Sequence, residues 1–235
     1  MILLIVLKVW LIMSNILISA YACEPNKGSE PEVGWSWVKY YLECTTHNLT
    51  VITRENNRNN IADVLSSAEY GRRIDFIFYD LPRPFLWLKK KFKFVRLYYI
   101  LWQFFAALRV RKVNKLKQFL FVHHITFVAL HMPSFMWILD IPLVFGPVAG
   151  GDRIPGALRG ALSKKIRIRE YLRDVSNFLT RYNPLLYLCL KHSSLILVNS
   201  NETKSLLAKK FQKKTLVHLA ISLTGFCDSS APCKS

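Results

Sequence analysis

Residues 16–21 read Ile-Leu-Ile-Ser-Ala-Tyr, residues 22–34 read Ala-Cys-Glu-Pro-Asn-Lys-Gly-Ser-Glu-Pro-Glu-Val-Gly, and residues 35–41 read Trp-Ser-Trp-Val-Lys-Tyr-Tyr. The first run is short and uncharged, which is typical of a strand buried on both faces of a parallel sheet. The prolines and glycines of the second run predict a loop through Gly34, and the apolar spacing of the third predicts a helix. Such a loop is where α/β proteins bind anionic ligands, although an ordinary turn without a ligand fits the residues equally well.

The remainder of the chain repeats this alternation of strands and helices. Helices are predicted over 61–70, around the apolar centre 97–108, over 157–192 and from residue 201, where Asn201 is a candidate cap. Further strands are predicted at 49–53, 74–79, 119–126, 141–145, 194–200 and 215–221. The order predicts an α/β fold, a Rossmann-like parallel sheet flanked by helices, with ligand-binding loops at the carboxyl ends of the strands.

The composition narrows the class of protein further. The chain has 235 residues, of which 51% are hydrophobic, so a disordered protein is excluded. The 33 Lys and Arg residues exceed the 15 Asp and Glu residues and give a net charge of +18, which favours anionic partners. No nucleic-acid-binding motif is recognisable, so nucleic acid is not expected among the partners. The five scattered cysteines fit a reducing compartment, and we expect a cytoplasmic protein.

Residues 19–25 (Ser-Ala-Tyr-Ala-Cys-Glu-Pro), residues 28–31 (Gly-Ser-Glu-Pro) and the pair Gly34-Trp35 resemble the opening of a bacterial group of family 4 glycosyltransferases. These are retaining enzymes of the GT-B fold, in which two Rossmann-like domains face a cleft. Glu32 stands where that group has a glycine, and its extra Cβ narrows the loop.

The resemblance covers about residues 15–221 and implies the N-terminal, acceptor-side domain of a GT-B enzyme. It implies transfer of a sugar from a nucleotide-sugar donor to a glycan or lipid-linked acceptor, with no cofactor and no metal. The family's second domain carries a donor-binding Glu-x₇-Glu motif, and no counterpart of that domain is recognised in these residues, because the one pair with this spacing, Glu24 and Glu32, lies in the first loop. We therefore expect this chain to be weakly active or inactive alone, and a separately encoded C-terminal half is a possible partner.

Two adjacent histidines, His123 and His124, end the predicted fourth strand, so their side chains should point to opposite faces of the sheet. By position alone a structural role is favoured over a functional one, and a metal site is not expected because the two rings diverge. In the resembling family a histidine at this strand end faces the donor sugar, which favours a catalytic role here. His124 is preferred to His123 as the catalytic residue because it is nearer the tip of the strand.

The other candidate site residues lie in the loops that follow the predicted strands. Residues 146–151 read Gly-Pro-Val-Ala-Gly-Gly, close to the family's Gly-Pro-Val-Gly-Gly-Gly, and residues 53–58 resemble a family stretch as well. A tight turn or a solvated loop explains each of these residues equally well when they are taken singly. The substrate-binding residues that the resemblance implies are Gly28, Ser29, Glu30, Arg54, Asn57, Thr126, Gly150, Gly151 and Arg153.

Residues 89–118 contain ten basic residues and no acidic residue, and they surround the apolar centre 97–108. That centre is too short to span a bilayer, but its basic flanks and aromatic rings suit a helix lying on an anionic membrane surface. A core helix with solvated basic ends has the same composition. The alternative function is therefore a non-catalytic basic protein associating with anionic membranes, peripheral on the inner face.

The two ends of the chain differ from its centre. Residues 1–12 are apolar apart from Lys8, and residues 20–22 mimic a signal-peptide cleavage site, but no positively charged segment precedes the apolar run. We expect a domain over 13–222 with Met13 as a natural start, and 1–12 as an extension, a signal or an anchor. Residues 223–235 have no periodicity and are expected to form an irregular tail.

Overall fold

The computed structural model describes residues 14–67, 72–92, 94–125, 129–152 and 154–218. Within them a seven-stranded sheet has the order β3-β2-β1-β4-β5-β6-β7, and all of its neighbouring strands are parallel. The expected α/β fold with a Rossmann-like parallel sheet is thereby confirmed. The strands are β1 (Asn15–Ala20), β2 (Asn48–Thr53), β3 (Ile74–Phe78), β4 (Phe119–Ile125), β5 (Leu143–Val148), β6 (Ser193–Val198) and β7 (Thr215–Val217).

Helices cover both faces of the sheet, as a parallel sheet requires. The helices Ser29–Cys44 and Arg58–Ser67 pack on one face around Ile18 and Val51. The helices Val95–Lys117, Pro184–His192 and Asn201–Leu206 pack on the other face around Leu17 and Phe145. Helical turns of the 3₁₀ type span Glu55–Asn57 and Met136–Leu139. The α-helices are α1 (Ser29–Cys44), α2 (Arg58–Ser67), α3 (Arg83–Phe92), α4 (Val95–Lys117), α5 (Gly156–Arg159), α6 (Lys164–Thr180), α7 (Pro184–His192), α8 (Asn201–Leu206) and α9 (Lys209–Gln212).

Helix α1 begins at Ser29, so the predicted loop through Gly34 is wrong. Pro31 is the third residue of the helix, where a backbone N–H has no acceptor within the helix and its absence costs nothing. Gly34 lies inside the helix and is buried. Gly28 precedes the helix with φ of 66°, a conformation in which glycine is not strained.

Several other predicted boundaries also change. Strand β5 continues through Val148 instead of ending at Phe145, and the predicted helix 157–192 is divided into α5, α6 and α7. The cap of α8 is Ser200 rather than Asn201, because the Ser200 hydroxyl accepts a 3.1 Å hydrogen bond from the Thr203 N–H. The predictions for residues 1–12 and 223–235 lie outside the described residues.

Gly146 of β5 lies against the backbone of Leu197 in β6. Its φ of 130° is one that other residues rarely adopt, and a Cβ placed there would overlap the carbonyl oxygen of Leu197. By contrast, Gly160 has open space around its Cα and ordinary helical dihedral angles. Glycine is therefore required at the first position and dispensable at the second.

We expect Gly146→Ala to lower the free energy of unfolding by about 3 kcal/mol, since overpacking and backbone strain act together. Gly160→Ala is the matched control, with an expected change within about 0.5 kcal/mol. Urea denaturation followed by circular dichroism measures both. Equal stabilities of the two variants would show that the β5–β6 contact at Gly146 does not exist in solution.

Candidate functional site

The strand order reverses at β1, because the chain proceeds from β1 to β2 and β3 on one side and resumes with β4 on the other. In α/β proteins ligands bind in the crevice at the carboxyl ends of the strands beside such a reversal. Ser19 pairs with His124, and His124 pairs with Phe145, so β1, β4 and β5 end at the same edge. We call this edge, with the loops that follow β1, β2, β3, β4 and β5, the rim.

His124 lies in a fully buried polar cluster between β1, β4 and α4. Its Nε2 atom is 3.2 Å from the Tyr99 hydroxyl and 3.1 Å from the amide nitrogen of Gln103. An amide nitrogen can only donate, so Nε2 accepts, and Nδ1 then carries the proton that is donated to the Ser19 hydroxyl at 3.1 Å. The ring also stacks on Phe145 at 5.9 Å between centroids.

His123 points to the opposite face of the sheet and is also fully buried. Its Nε2 atom donates to the carbonyl oxygen of Gly146 at 2.9 Å, and Nδ1 accepts from the Tyr41 hydroxyl at 3.0 Å. The edge of the Trp37 ring packs against it. Both imidazoles thus cross-link strands to helices from inside the protein, and the catalytic role of His124 or His123 stays a prediction.

Burial governs the charge of both histidines. Burial lowers the pKa of His123 to about 4, and the hydrogen bond to Gly146 opposes this effect only in part. Burial also lowers the pKa of His124 to about 3, and the neighbouring His123 lowers it further. Both rings are therefore neutral at neutral pH. As neutral rings they act in this structure as hydrogen-bonding groups rather than as positive charges.

Arg54 joins the rim loops that follow β1, β2 and β3. Its guanidinium donates to both carboxylate oxygens of Asp80, at 2.9 and 3.4 Å, and lies over the rings of Tyr21 and Tyr98 at 5.1 and 5.7 Å. Tyr98 of α4 donates to Asp80 at 2.8 Å. Burial, the largest single effect, would lower the pKa of Arg54, but the hydrogen bond to Asp80 and the charges of Asp80 and the two tyrosines together raise it, so the charged pair persists.

Asn57 fastens the end of β2 to the end of β1. Its side-chain amide donates to the Thr53 hydroxyl at 2.7 Å and to the Tyr21 carbonyl oxygen at 3.3 Å, and the residue is buried. Arg54 and Asn57 therefore both contact Tyr21, one through the ring and the other through the backbone. The structure brings these two predicted site residues together.

Glu24 is a buried carboxylate in the loop after β1, and it was absent from the residues that sequence reasoning selected. Both of its oxygens accept from the Lys27 ammonium, at 2.7 and 2.9 Å, and one accepts from the Asn60 amide of α2. Its backbone N–H donates to the Pro31 carbonyl oxygen. Its place beside Cys23 in the resembling motif was the one available signal.

Ser29 and Glu30 form the exposed first turn of α1, after Gly28. Partial desolvation raises the pKa of the Glu30 carboxyl. Burial chiefly raises the pKa of Tyr99, with the Gln103 hydrogen bond opposing it, and the charge of Glu30 raises it further. Within the buried cluster of His124, the Glu30 carboxylate therefore acts electrostatically on Tyr99.

Gly150 and Gly151, the two candidate residues at the end of the stretch 146–151, differ in their exposure to solvent. Gly150 is exposed, has φ of 113°, and its carbonyl oxygen accepts from the Asn177 amide at 3.1 Å. Gly151 is buried, and its N–H donates to the Thr203 hydroxyl at 3.1 Å. Gly151 thus serves the contact with α8, whereas Gly150 lies open at the rim.

Thr126 and Arg153 lie outside the described residues, so their predicted roles are not addressed by the structure. Asp80 and Tyr98 were missed by sequence reasoning. Asp80 follows β3 directly, at the same edge as the other candidate loops, and that position was a usable signal. Tyr98 carried no signal, because its partner is 18 residues away and on another element.

Helix α4, the centre of the basic stretch 89–118, is buried on one side and exposed on the other. Tyr99, Trp102 and Ala106 pack against the sheet, whereas Leu97 and Phe105 are exposed. Among the described residues, none of the helices combines the length and the apolar character that crossing a bilayer requires. Within the same residues no three His, Cys, Asp or Glu side chains are grouped as metal ligands would be.

Comparison with known proteins gives no assignment: no protein-family model and no curated protein matches the chain. The class that the fold and rim define is therefore a Rossmann-like α/β protein with a polar, partly charged rim at its strand-order reversal.

We expect stability to decrease as the pH falls below the ordinary histidine pKa of 6.5, because the unfolded chain then takes up protons that His123 and His124 do not bind when folded. At about pH 5 each histidine should cost about 2 kcal/mol of unfolding free energy. Urea denaturation at a series of pH values measures this loss.

Other groups titrate in the same range, so variants isolate the two histidines. His124→Gln and His123→Gln, each compared with itself at neutral and acid pH, should show a loss smaller by about 2 kcal/mol than the parent chain. A parent chain equally stable at both pH values would contradict the burial of these rings. If the variants lose as much unfolding free energy at acid pH as the parent chain does, residues other than these histidines take up the protons.

Proposed function

We propose that this chain is the acceptor-side, N-terminal domain of a retaining family 4 glycosyltransferase of the GT-B fold. One observation carries the proposal: the stretch that resembles that family, residues 19–35, forms the end of β1, the following loop and the start of α1, beside the strand-order reversal. Ligand binding at that place is a general property of open α/β sheets. The family's other matching stretches, around Arg54, His124 and Gly150, also fall at carboxyl strand ends.

The proposed reaction transfers a sugar from a nucleotide-sugar to a glycan or lipid-linked acceptor, with no cofactor or metal. Its transition state resembles an oxocarbenium ion and its leaving group is a nucleotide diphosphate, so fixed charges and dipoles are the main contribution expected of the protein. We assign sugar hydroxyl contacts to Glu30 and to the backbone at Gly28, Ser29 and Gly150. Arg54 holds Asp80 and Tyr21 in place at the same edge of the sheet.

We further propose that the domain works in the cytoplasm, on the inner face of the membrane. The resemblance assigns nucleotide-sugar binding to a second domain, which would close the cleft and need not be on the same polypeptide. Acceptor binding is accordingly the part of the activity that residues 15–221 can be tested for.

Acceptor binding is tested by saturation-transfer NMR of the whole chain with a panel of oligosaccharides and glycolipid headgroups, followed by calorimetry on the best binder. Glu30→Gln should weaken binding about tenfold, since a hydrogen bond to a charged group contributes about 1.5–3 kcal/mol. Glu43→Gln is the matched control, because Glu43 lies at the opposite end of the same helix, next to Lys39. Its affinity should equal that of the parent chain.

The proposal is overturned if no member of the panel binds, or if the Glu30 and Glu43 variants bind alike. Sugar-nucleotide turnover is measured in parallel with the same preparation. Robust turnover by these 235 residues would support the transferase class and refute the expectation that a donor-binding half is needed.

A further inference from the structure

Helix α6 has its polar and apolar sides reversed relative to a helix that packs on a protein core. Its buried residues are Glu170, Asn177 and Thr180, all polar. Its apolar residues from Ile168 onward face outward, as does Tyr182 just beyond the helix, and these side chains are between 37 and 70% exposed. They are Ile168, Tyr171, Leu172, Val175, Phe178, Leu179 and Tyr182.

Polar contacts fix this orientation. Asp174 of α6 accepts from the Arg159 guanidinium at 2.8 Å, and Asn177 donates to the carbonyl oxygen of Gly150 at the rim. Glu170 pairs with Arg173 on the same helix. The helix is thus held by its polar side, and its apolar side is left as a continuous surface of the kind that marks an interaction site.

The outward residues form one stripe. At 3.6 residues per turn, positions 168, 171, 172, 175, 178, 179 and 182 follow the spacing of a single helix face. A shallow groove of about 360 Å³ runs along part of it. Its lining residues are Leu172, Val175, Ser176, Leu179, Thr180 and Asn183.

Basic side chains flank the stripe on both sides. By the same helical spacing, Lys165 and Arg169 lie along one border, and Arg167 lies along the other. Residues 164–182 contain six Lys or Arg residues and two acidic residues, Glu170 and Asp174, both of which are paired with arginines. The surface therefore combines an apolar centre with a positive border.

We propose that α6 is a membrane-docking helix that lies in the interface of an anionic bilayer. An apolar face bordered by Lys and Arg, with aromatic rings among the apolar residues, is the composition of helices that lie in that interface. The 17 residues of α6 span about 25 Å, which is less than the hydrocarbon core, so the helix lies along the surface. The chain's net charge of +18 favours the same anionic partner.

This docking does not depend on the proposed transferase activity. If that activity holds, the contact between Asn177 and Gly150 places the rim beside the bilayer, where the headgroup of a lipid-linked acceptor would be presented. It also differs from docking through residues 89–118, since α4 uses one side of its apolar centre to cover the sheet.

Co-sedimentation of the whole chain with vesicles tests the proposal. The vesicles are phosphatidylcholine alone, or phosphatidylcholine with about a third phosphatidylglycerol, at low and high salt. We expect binding to the anionic vesicles only, decreasing as salt increases. The double variant Leu172→Ser, Leu179→Ser should bind about tenfold more weakly, because it removes two exposed apolar side chains from the interface.

The matched control is Leu97→Ser, Leu116→Ser, which changes two exposed leucines on the basic helix α4. It should bind as the parent chain does, and circular dichroism verifies that all variants are folded. Absence of vesicle binding, binding that ignores anionic lipid, or a loss confined to the α4 variant would overturn the proposal. A change from oligomer to monomer in the α6 variant, seen by ultracentrifugation without any vesicle binding, would instead assign the stripe to a second copy of the chain.

Discussion

The position of β1 between β2 and β4 is the constraint on which the other features of this protein depend. A central parallel strand is buried on both faces, so its residues are apolar, and any polar residue among them requires an internal partner. Ser19 is that residue, and it accepts from His124 on the neighbouring strand. The hydrogen bond aligns the ends of β1 and β4, and with them the loops where the strand order reverses.

The rim is ordered by its own buried charges. Arg54 and Asp80 follow different strands and are nearly buried, and such a pair is costly unless both partners are held in good geometry. The two tyrosine rings and the hydroxyl of Tyr98 supply that geometry. Lys27 and Asn60 hold the buried carboxylate of Glu24 in the same way, by donating hydrogen bonds to it. The loops that would receive a ligand therefore need little rearrangement, which favours binding because less conformational freedom is lost.

Local sequence determined what could be predicted. The apolar run at 16–21 indicates a strand buried on both faces, and the β-branched residues of 49–53 indicate a second strand. The histidine pair diverges because successive strand residues alternate between faces. The start of α1 was mispredicted because proline was taken to end a helix, although its missing N–H is harmless in the first turn. The position of Asp80 after β3 indicates the correct edge of the sheet, but local sequence does not indicate that it pairs with Arg54, since the two residues are 26 apart and meet only through strand pairing.

Helix α6 marks a further limit of local prediction. Its spacing indicates an amphipathic helix, and the same spacing fits a helix that covers a core and one that faces a membrane. Which of the two applies depends on the polar side of the helix. There Asp174 accepts a hydrogen bond from Arg159, and Asn177 donates one to the Gly150 carbonyl oxygen. Because polar groups that would be buried without partners are costly, those two contacts favour placing the polar side inward. The apolar side must then face outward, so the direction of the stripe follows from hydrogen bonding at the rim rather than from hydrophobicity.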